Sequence, residues 1–198
     1  MNTGKYSTYY QPLGINEIEA IHKATMQVLA KVGFQVDNRR ALNLFADKGA
    51  QVDFTNNIVK IKEEVVLDLL KKAPPRIILY GREEKHNMVV EANRAFMGTG
   101  GTGLSIIDLE TGEKRPTTTE DVGDIARLVD TLENIHWYTV PVFPTEVPKE
   151  EADINRFYHS LKNTSKHVMG GVYGGYKGVK EVIGLAQHIA GGEEELRK

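Results

Sequence analysis

Two glycine clusters are the segments of this sequence whose residue types could bind a small ligand. The first runs from Gly98 to Gly103 and formally matches G-x-G-x-x-G, and the second runs from Gly170 to Gly175. Because glycine has no Cβ, the backbone at such positions can pass close to a ligand or to a packed neighbour. Glycines also simply end strands, and the sequence leaves both uses open.

A dinucleotide site at the first cluster would require a helix immediately after the glycines and an acidic residue ~20 positions further on. The segment Leu104–Leu109 is instead β-like and leads into a turn. Asp121 lies at a tolerable distance, but its place at a predicted helix start explains it as a capping residue. A P-loop also fails, because no Lys-Ser or Lys-Thr pair follows the glycines. We therefore expect no dinucleotide site here and rank a nucleotide-dependent enzyme last.

Aromatic residues and glycines fall where predicted strands end. In α/β folds, ligands collect beyond the carboxyl ends of the strands. Aromatic faces at that edge could hold an ammonium group by cation–π attraction, with packing as the alternative. The candidate substrate-binding residues are Gly98, Thr99, Gly100, Gly101, Phe143, Gly170, Gly171 and Tyr173.

Other kinds of site are excluded by residue type or spacing. The chain has no cysteine, which removes disulfides, zinc–thiolate sites and a thiol nucleophile. None of its six histidines pairs at metal-binding spacing, so no metal site is predicted. His167 could face a site, although a structural role is the alternative, and Glu146 and Asp153 are expected to be exposed. The catalytic residues stay unassigned.

Composition narrows the classes of partner. The chain of 198 residues is 40% hydrophobic and 26% charged, with a formal net charge of -2. This balance gives no electrostatic footprint for nucleic acid or an anionic membrane. The residues before Gly14 lack the apolar core of a signal peptide, and no apolar run could span a bilayer. We therefore expect a cytoplasmic protein.

The elements that must position the candidate residues begin with a helix and hairpin region. Asn16 and Glu19 predict a capping box at the start of the first helix, and Gly33 predicts its end. The pattern then predicts a short helix that begins near Asp37 or Asn38, a hairpin that turns at residues 55–57, and a third helix from about Glu63 to Lys72.

From about residue 95, predicted strands and helices alternate. The strands cover residues 135–143 and 167–173, and helices begin near Thr118, Lys149 and Tyr176. Such alternation predicts parallel strands covered by helices, which is an α/β fold.

A complete eight-unit barrel takes ~250 residues, whereas this part offers about three strand–helix units. The alternatives are a small open α/β domain and a partial TIM-type (β/α) barrel that belongs to a longer protein, and we predict the partial barrel. Its interrupted strand edge would be covered by another copy of the chain in a homo-oligomer. The predicted regions are a flexible tail at 1–14, a helix and hairpin cap at 15–94, and the first part of the barrel at 95–198.

Segments along nearly the whole chain resemble, in order, those of the trimethylamine methyltransferase family. They are Asn16–His22, Val32–Asp37, Lys72–Arg76, Leu79–Arg82, Met97–Gly101, Asp108–Pro116, Pro141–Pro144 and Lys162–Lys166.

The resemblance implies a barrel methyltransferase of methylamine metabolism, including methanogenesis. Such an enzyme moves a methyl group from trimethylamine, or from a quaternary amine such as a betaine, to the Co(I) of a corrinoid. The resemblance places this corrinoid (cobalamin) on a separate corrinoid protein, so none is bound tightly by this chain. Family members are considerably longer, and we expect the chain alone to be inactive. The alternative is a non-catalytic module that binds a small cationic ligand or the corrinoid protein.

Overall fold

The computed structural model describes residues 5–6, 10, 12–92 and 94–197, and it combines helices and strands. The α-helices are α1 (Ile15–Gln27), α2 (Arg39–Asp47), α3 (Glu63–Leu70), α4 (Thr119–Thr131), α5 (Ala152–Asn163), α6 (Gly175–Ala190) and α7 (Glu193–Leu196). The strands are β1 (Lys5–Tyr6), β2 (Phe34–Gln35), β3 (Gln51–Asp53), β4 (Ile58–Lys60), β5 (Arg76–Leu79), β6 (Met88–Glu91), β7 (Arg94–Ala95), β8 (Ser105–Ile107), β9 (Lys114–Pro116), β10 (Trp137–Thr139) and β11 (His167–Met169).

Internal contacts divide the chain into two compact units. One unit is Thr8–Pro75, and the other combines Met1–Ser7 with Arg76–Lys198. Much of the tail that the sequence predicts at 1–14 lies outside the described residues.

The start of α1 differs from the predicted capping box. The backbone N–H of Gly14 donates to Oε2 of Glu17 at 2.6 Å, so the helix begins at Ile15. The prediction of Asn16 with Glu19 was therefore wrong by two residues, because Glu17 is the acidic side chain that reaches back to the residue before the helix.

The other turn and cap signals in the first unit are confirmed. A π-helical turn, Val28–Val32, extends α1 to Gly33, which has φ 78°. The Asn38 side chain caps α2 by accepting the N–H of Ala41 at 3.0 Å. The predicted hairpin is formed by β3 and β4 and turns through Asn57 at φ 58°; with β2 it makes an antiparallel sheet in the order β2-β4-β3.

The second unit contains the parallel pairing that the alternating pattern predicted. Strands β10 and β11 pair in parallel, with Tyr138 opposite Val168, and α5 forms the connection between them. Both strands are shorter than predicted; in the first, Pro141 and Pro144 have no N–H to donate to a ladder. Helix α4 packs on β10, burying a cluster made by Val122, Ala126, Val129, Tyr138, Val140 and Val142.

The first glycine cluster runs beside β10. Gly98 bridges Trp137 and Gly103 bridges Val142, both in the parallel direction. The segment after the cluster is β8, which pairs with β9 in an antiparallel hairpin, so a strand and not a helix follows the glycines. The described residues form no closed barrel.

A buried lysine fixes the start of β11. Lys166 is 3% exposed. Its Nζ donates to the carbonyl oxygens of Val129, Leu132 and Ile135 at 2.6, 2.7 and 2.6 Å, at the C-terminal end of α4. The neighbouring residue Ser165 donates its backbone N–H to Oδ1 of Asp130 at 2.7 Å.

The hairpin of β8 and β9 is joined to α4 by one arginine. Nη1 and Nη2 of Arg115 donate to both carboxylate oxygens of Asp121 at 2.8 and 2.9 Å. Its Nε donates to Oδ2 of Asp108 at 3.0 Å. The Arg115 hydrogen bonds lower the pKa of Asp108 to about 2 and also lower the pKa of Asp121.

We expect Gly98→Ala to destabilise the chain, because a Cβ at this position would lie 2.1 Å from ring atoms of Trp137. Overpacking of this kind costs about 1–3 kcal/mol in the free energy of unfolding. The matched control is Gly100→Ala, whose Cβ would meet nothing within 4 Å. Denaturant unfolding followed by the fluorescence of Trp137, the single tryptophan of the chain, measures both. Equal stability and identical emission of the two variants would contradict the close contact.

We expect Lys166→Met to lower the free energy of unfolding by roughly 2–4 kcal/mol, because three carbonyl groups at the end of α4 lose the buried donor that they share. Lys114→Met, at an exposed position of the same unit, serves as the control and should change stability by less than ~0.5 kcal/mol. Chemical denaturation of both variants tests this. A loss as small as that of the control would show that the lysine does not hold the helix end.

Acid should weaken the fold through the two aspartates that Arg115 contacts. Because their folded-state pKa values lie below the unfolded value of about 3.9, the unfolded chain binds more protons in this range. The free energy of unfolding therefore falls as the pH drops from about 4 towards about 2. In Arg115→Gln this decrease should be smaller, since both carboxyl groups lose their strongest hydrogen bonds. Urea titrations across this pH range give the free energy of unfolding of the unsubstituted chain, of Arg115→Gln and of the control Lys114→Gln. The linkage would be refuted if this free energy changed equally with pH in all three.

Candidate functional site

Two of the predicted site residues, Phe143 and Tyr173, meet beyond the carboxyl ends of β10 and β11. Their rings contact edge to face, with centroids 5.5 Å apart. Arg156, from α5, lies against both rings, with its Cζ 5.2 Å from the Phe143 centroid and 5.3 Å from the Tyr173 centroid. Tyr173 remains 59% exposed, so much of its ring is available to a ligand. We call Phe143, Arg156 and Tyr173 the strand-end cluster.

The guanidinium group of Arg156 is buried and only partly hydrogen bonded. The residue is 0% exposed. Its Nη1 donates to Oδ1 of Asp153 at 3.4 Å and to the carbonyl oxygen of Gly171 at 3.2 Å. Its Nε and Nη2 are buried and find no hydrogen-bond partner among the residues that the structure describes. Each such donor costs about 1–3 kcal/mol when it is left unsatisfied.

Burial lowers the pKa of the Arg156 guanidinium, although a guanidinium stays protonated in proteins. The cluster therefore carries a permanent positive charge on a fully buried side chain. The two aromatic faces stabilise this charge in part.

Asp153 connects the second glycine cluster to α5. Its Oδ2 accepts the backbone N–H groups of Tyr173 and Gly174, both at 2.7 Å. These bonds satisfy donors at the start of α6, where a carboxylate is favourable. Gly178 permits the approach, since a Cβ there would lie 2.8 Å from Val172 Cγ1 and 3.3 Å from Asp153 Oδ2. The expectation that Asp153 is exposed was wrong: it is 5% exposed.

The residues predicted in the first glycine cluster mostly serve strand pairing. The Thr99 hydroxyl donates to the carbonyl oxygen of Thr139 at 2.7 Å and accepts its N–H at 2.8 Å. Gly98 faces the ring of Trp137, whereas Gly100 and Gly101 are exposed.

In the second cluster, Gly170 packs near Phe157 and Val140, where a Cβ would make contacts of 3.3 Å. Gly171 supplies a carbonyl oxygen to Arg156. His167 is held at Nδ1 by the carbonyl oxygen of Tyr80 at 2.8 Å, which is a structural contact. The structure thus brings Phe143, Gly171 and Tyr173 to one place and leaves Gly98 and Thr99 beside β10.

Arg156 escaped sequence reasoning, and so did the role of Asp153. The spacing of three residues between them on a predicted helix is the one signal that the sequence offered, since side chains at i and i+3 are neighbours. The described residues contain no group of three or more His, Cys, Asp or Glu side chains placed to hold a metal. Likewise, none of the described helices is long and apolar enough to cross a membrane.

Comparison with known proteins adds to this geometry. The family model described as "Trimethylamine methyltransferase (MTTB)" matches residues 3–198. Trimethylamine methyltransferase MttB of Desulfitobacterium hafniense is 37% identical over 182 residues, which cover 92% of this chain and 36% of that protein. MttB1 of Methanosarcina mazei is 34% identical over 189 residues, covering 92% of this chain and 38% of that protein.

A glycine betaine methyltransferase of Desulfitobacterium hafniense is 26% identical over 196 residues, covering 98% of this chain and 40% of that protein. The chain therefore spans little more than a third of the length of the relatives it matches. The match of one family model to nearly every residue, together with this set of relatives, shows that the chain belongs to the trimethylamine methyltransferase family.

Proposed function

We propose that the protein containing this chain transfers a methyl group from a methylated amine to the Co(I) of a corrinoid on a separate carrier protein. The observation that carries the proposal is the family match over residues 3–198. The relatives are named for trimethylamine and for glycine betaine, and we propose a substrate of one of these two kinds.

We further propose that residues from about 95 onwards form the first part of a (β/α) barrel, which later residues of the full protein complete. The parallel pairing of β10 with β11 across α5 supports this arrangement. So does the parallel approach of Gly98 and Gly103 to the other side of the same segment. In our proposal, the helices and hairpins before residue 95 act as a cap, and copies of the protein associate as a homo-oligomer.

The chemistry requires that the methyl carbon be held in line between its nitrogen and the incoming nucleophile. When present on its carrier, the corrinoid supplies Co(I) as the nucleophile, and the amine leaves with the electron pair of the broken C–N bond. The contribution of this chain is positioning, which can supply much of the lowering of a barrier. In the strand-end cluster, the exposed ring of Tyr173 can hold a methylated ammonium group by cation–π attraction.

We propose that Gly170 and Gly171 contribute the backbone wall beside that ring, and that Gly98, Thr99, Gly100 and Gly101 contribute a second wall along β10. Phe143 supports the ring of Tyr173 through an edge-to-face contact. The cobalt itself needs no ligand from this chain, because the corrinoid is assigned to its carrier.

The full-length protein should form methyl-cobalt from a methylated amine when it is mixed with reduced corrinoid protein, as followed by the visible spectrum. Tyr173→Leu should lower kcat/KM roughly tenfold, as the loss of a cation–π contact of ~1–2 kcal/mol implies. Tyr173→Phe keeps the aromatic face and is the matched control.

No methyl transfer from any amine in a panel of trimethylamine, dimethylamine and betaines would overturn the proposed function. Equal losses in the Leu and Phe variants would remove Tyr173 from the substrate site. The 198-residue chain alone is expected to show no turnover, and turnover by it would contradict our assignment of the chemistry to the full-length protein.

A further inference from the structure

Helix α1 carries an apolar stripe that is open to solvent. Ile18, Ile21, Thr25 and Val28 recur at spacings of three, four and three residues, which places them on one side of the helix. We call these four residues the α1 stripe. Ile21 and Val28 are 55% and 53% exposed, and no residue of α1 is buried. Because isolated helices of about this length are marginal in water, α1 needs a partner surface along the stripe.

A neighbouring side of α1 is the one that contacts the rest of its own unit. Nε2 of His22 lies 3.4 Å from Oε1 of Glu63 in α3. The carbonyl oxygen of Leu29 accepts the backbone N–H of Ile61 at 3.0 Å, directly after β4. Met26 and Leu29 are half-buried on this side. These contacts hold the helix and leave the α1 stripe unused.

The α1 stripe is complementary to itself in an antiparallel arrangement. Its spacing reads the same in both directions, so a second copy of α1 can match it about a two-fold axis midway between Ile21 and Thr25. Ile18 then lies opposite Val28 of the second copy, and Ile21 lies opposite Thr25, so each larger side chain meets a smaller one. The Thr25 hydroxyl already donates to the carbonyl oxygen of Ile21 at 2.9 Å and brings no unsatisfied donor into the contact.

The charges at the two ends of the helix fit the same arrangement. Glu17 lies in the first turn of α1, and Lys31 lies in the π-helical turn that extends it. In the antiparallel pair, Glu17 of one copy is about 3 Å along the helix axis from Lys31 of the other, at 1.5 Å per residue. Each acidic helix start therefore lies beside a basic helix end, and the two helix dipoles are opposed. A parallel pair would bring like charges together.

We propose that α1 is an interface between two copies of the protein, which pair antiparallel through the α1 stripe. The inference goes beyond the proposed function and gives the proposed association of copies a defined surface. The occupant is a second copy because the apolar side chains and the end charges are both self-complementary, which is the requirement of a two-fold interface. A cover of different sequence would need neither property.

Sedimentation of the full-length protein over a range of concentrations tests the pairing. Ile21→Glu places a carboxylate at the centre of the α1 stripe in both copies. We expect it to raise the dissociation constant of the pair by on the order of a hundredfold, and so to halve the mass of the assembly at a suitable concentration. Lys23→Glu is the matched control, because this exposed position lies on the opposite side of α1 and should leave the mass unchanged.

A charge exchange tests the antiparallel geometry and keeps the test valid if Ile21→Glu does not fold. Glu17→Lys and Lys31→Glu each place like charges across the pair, so each alone should raise the dissociation constant about threefold. The double variant exchanges both charges and should restore it. Glu17 also accepts the backbone N–H of Gly14, but Glu17→Lys and the double variant lose this cap alike, so their difference reports the pairing.

Three results would overturn the proposal. They are a full-length protein that stays monomeric, an equal mass of Ile21→Glu and Lys23→Glu, and a double variant that associates no better than Glu17→Lys. Lower stability of Ile21→Glu without a change in mass would show that the stripe is covered from within one polypeptide, and it would count against the pairing as well. Methyl transfer without pairing through α1 would leave the proposed function standing, and pairing without methyl transfer would do the reverse.

Discussion

The ammonium group of Lys166 is the contact on which the parallel pair depends. By donating to three carbonyl oxygens at the end of α4, it fixes the residue at which the chain enters β11. The pairing of β11 with β10 follows from that entry point, and a shift by one residue would turn every side chain of the strand to its other face. Because Lys166 fixes the residue at which β11 starts, it also fixes where the segment after β11 places Tyr173, which is beside Phe143.

A second polar anchor holds the opposite end of β11. Asp153, in the first turn of α5, accepts hydrogen bonds from backbone N–H groups that follow the strand. Arg156, one turn later, donates to the carbonyl oxygen of Gly171. The last residue of the same helix, Asn163, directly precedes the segment that leads to Lys166. One helix thus borders both anchors, which explains how a strand of three residues can carry a defined loop at its end.

Most local caps and turns were predictable from the sequence, although the cap of α1 was expected two residues too late, whereas the side-chain contacts between distant residues were not predictable. The cap at Asn38, the turn at Asn57 and the cap of α4 by Thr118 follow from residues within three positions of each other. The parallel strands were predictable because alternation with helices permits few other arrangements. The extents of the strands were overestimated, since apolar character continues past the point where the ladder ends.

The centre of the candidate site could be predicted only in part. Phe143 and Tyr173 were found because both follow strands, and strand ends gather at one edge. Arg156 and Asp153 are buried against backbone groups 15 to 21 residues away. The carbonyl groups that accept from Lys166 lie 31 to 37 residues away in the sequence. Charged residues on a helix are exposed in most proteins, so the residue types of Arg156 and Asp153 favoured exposed positions, whereas both are buried.

The carboxylate of Asp153 accepts hydrogen bonds from two sources, the backbone N–H groups of the loop before α6 and the guanidinium group of Arg156. If the N–H groups of Tyr173 and Gly174 were withdrawn, Oδ2 would be released to form a close ion pair with the arginine. Loop order and the electrostatic strength of the site are therefore linked, and linkage acts equally in both directions. While the loop is ordered, Asp153 meets Arg156 only through Oδ1 at 3.4 Å, so the order that completes the start of α6 also limits how far the charge of the arginine is neutralised.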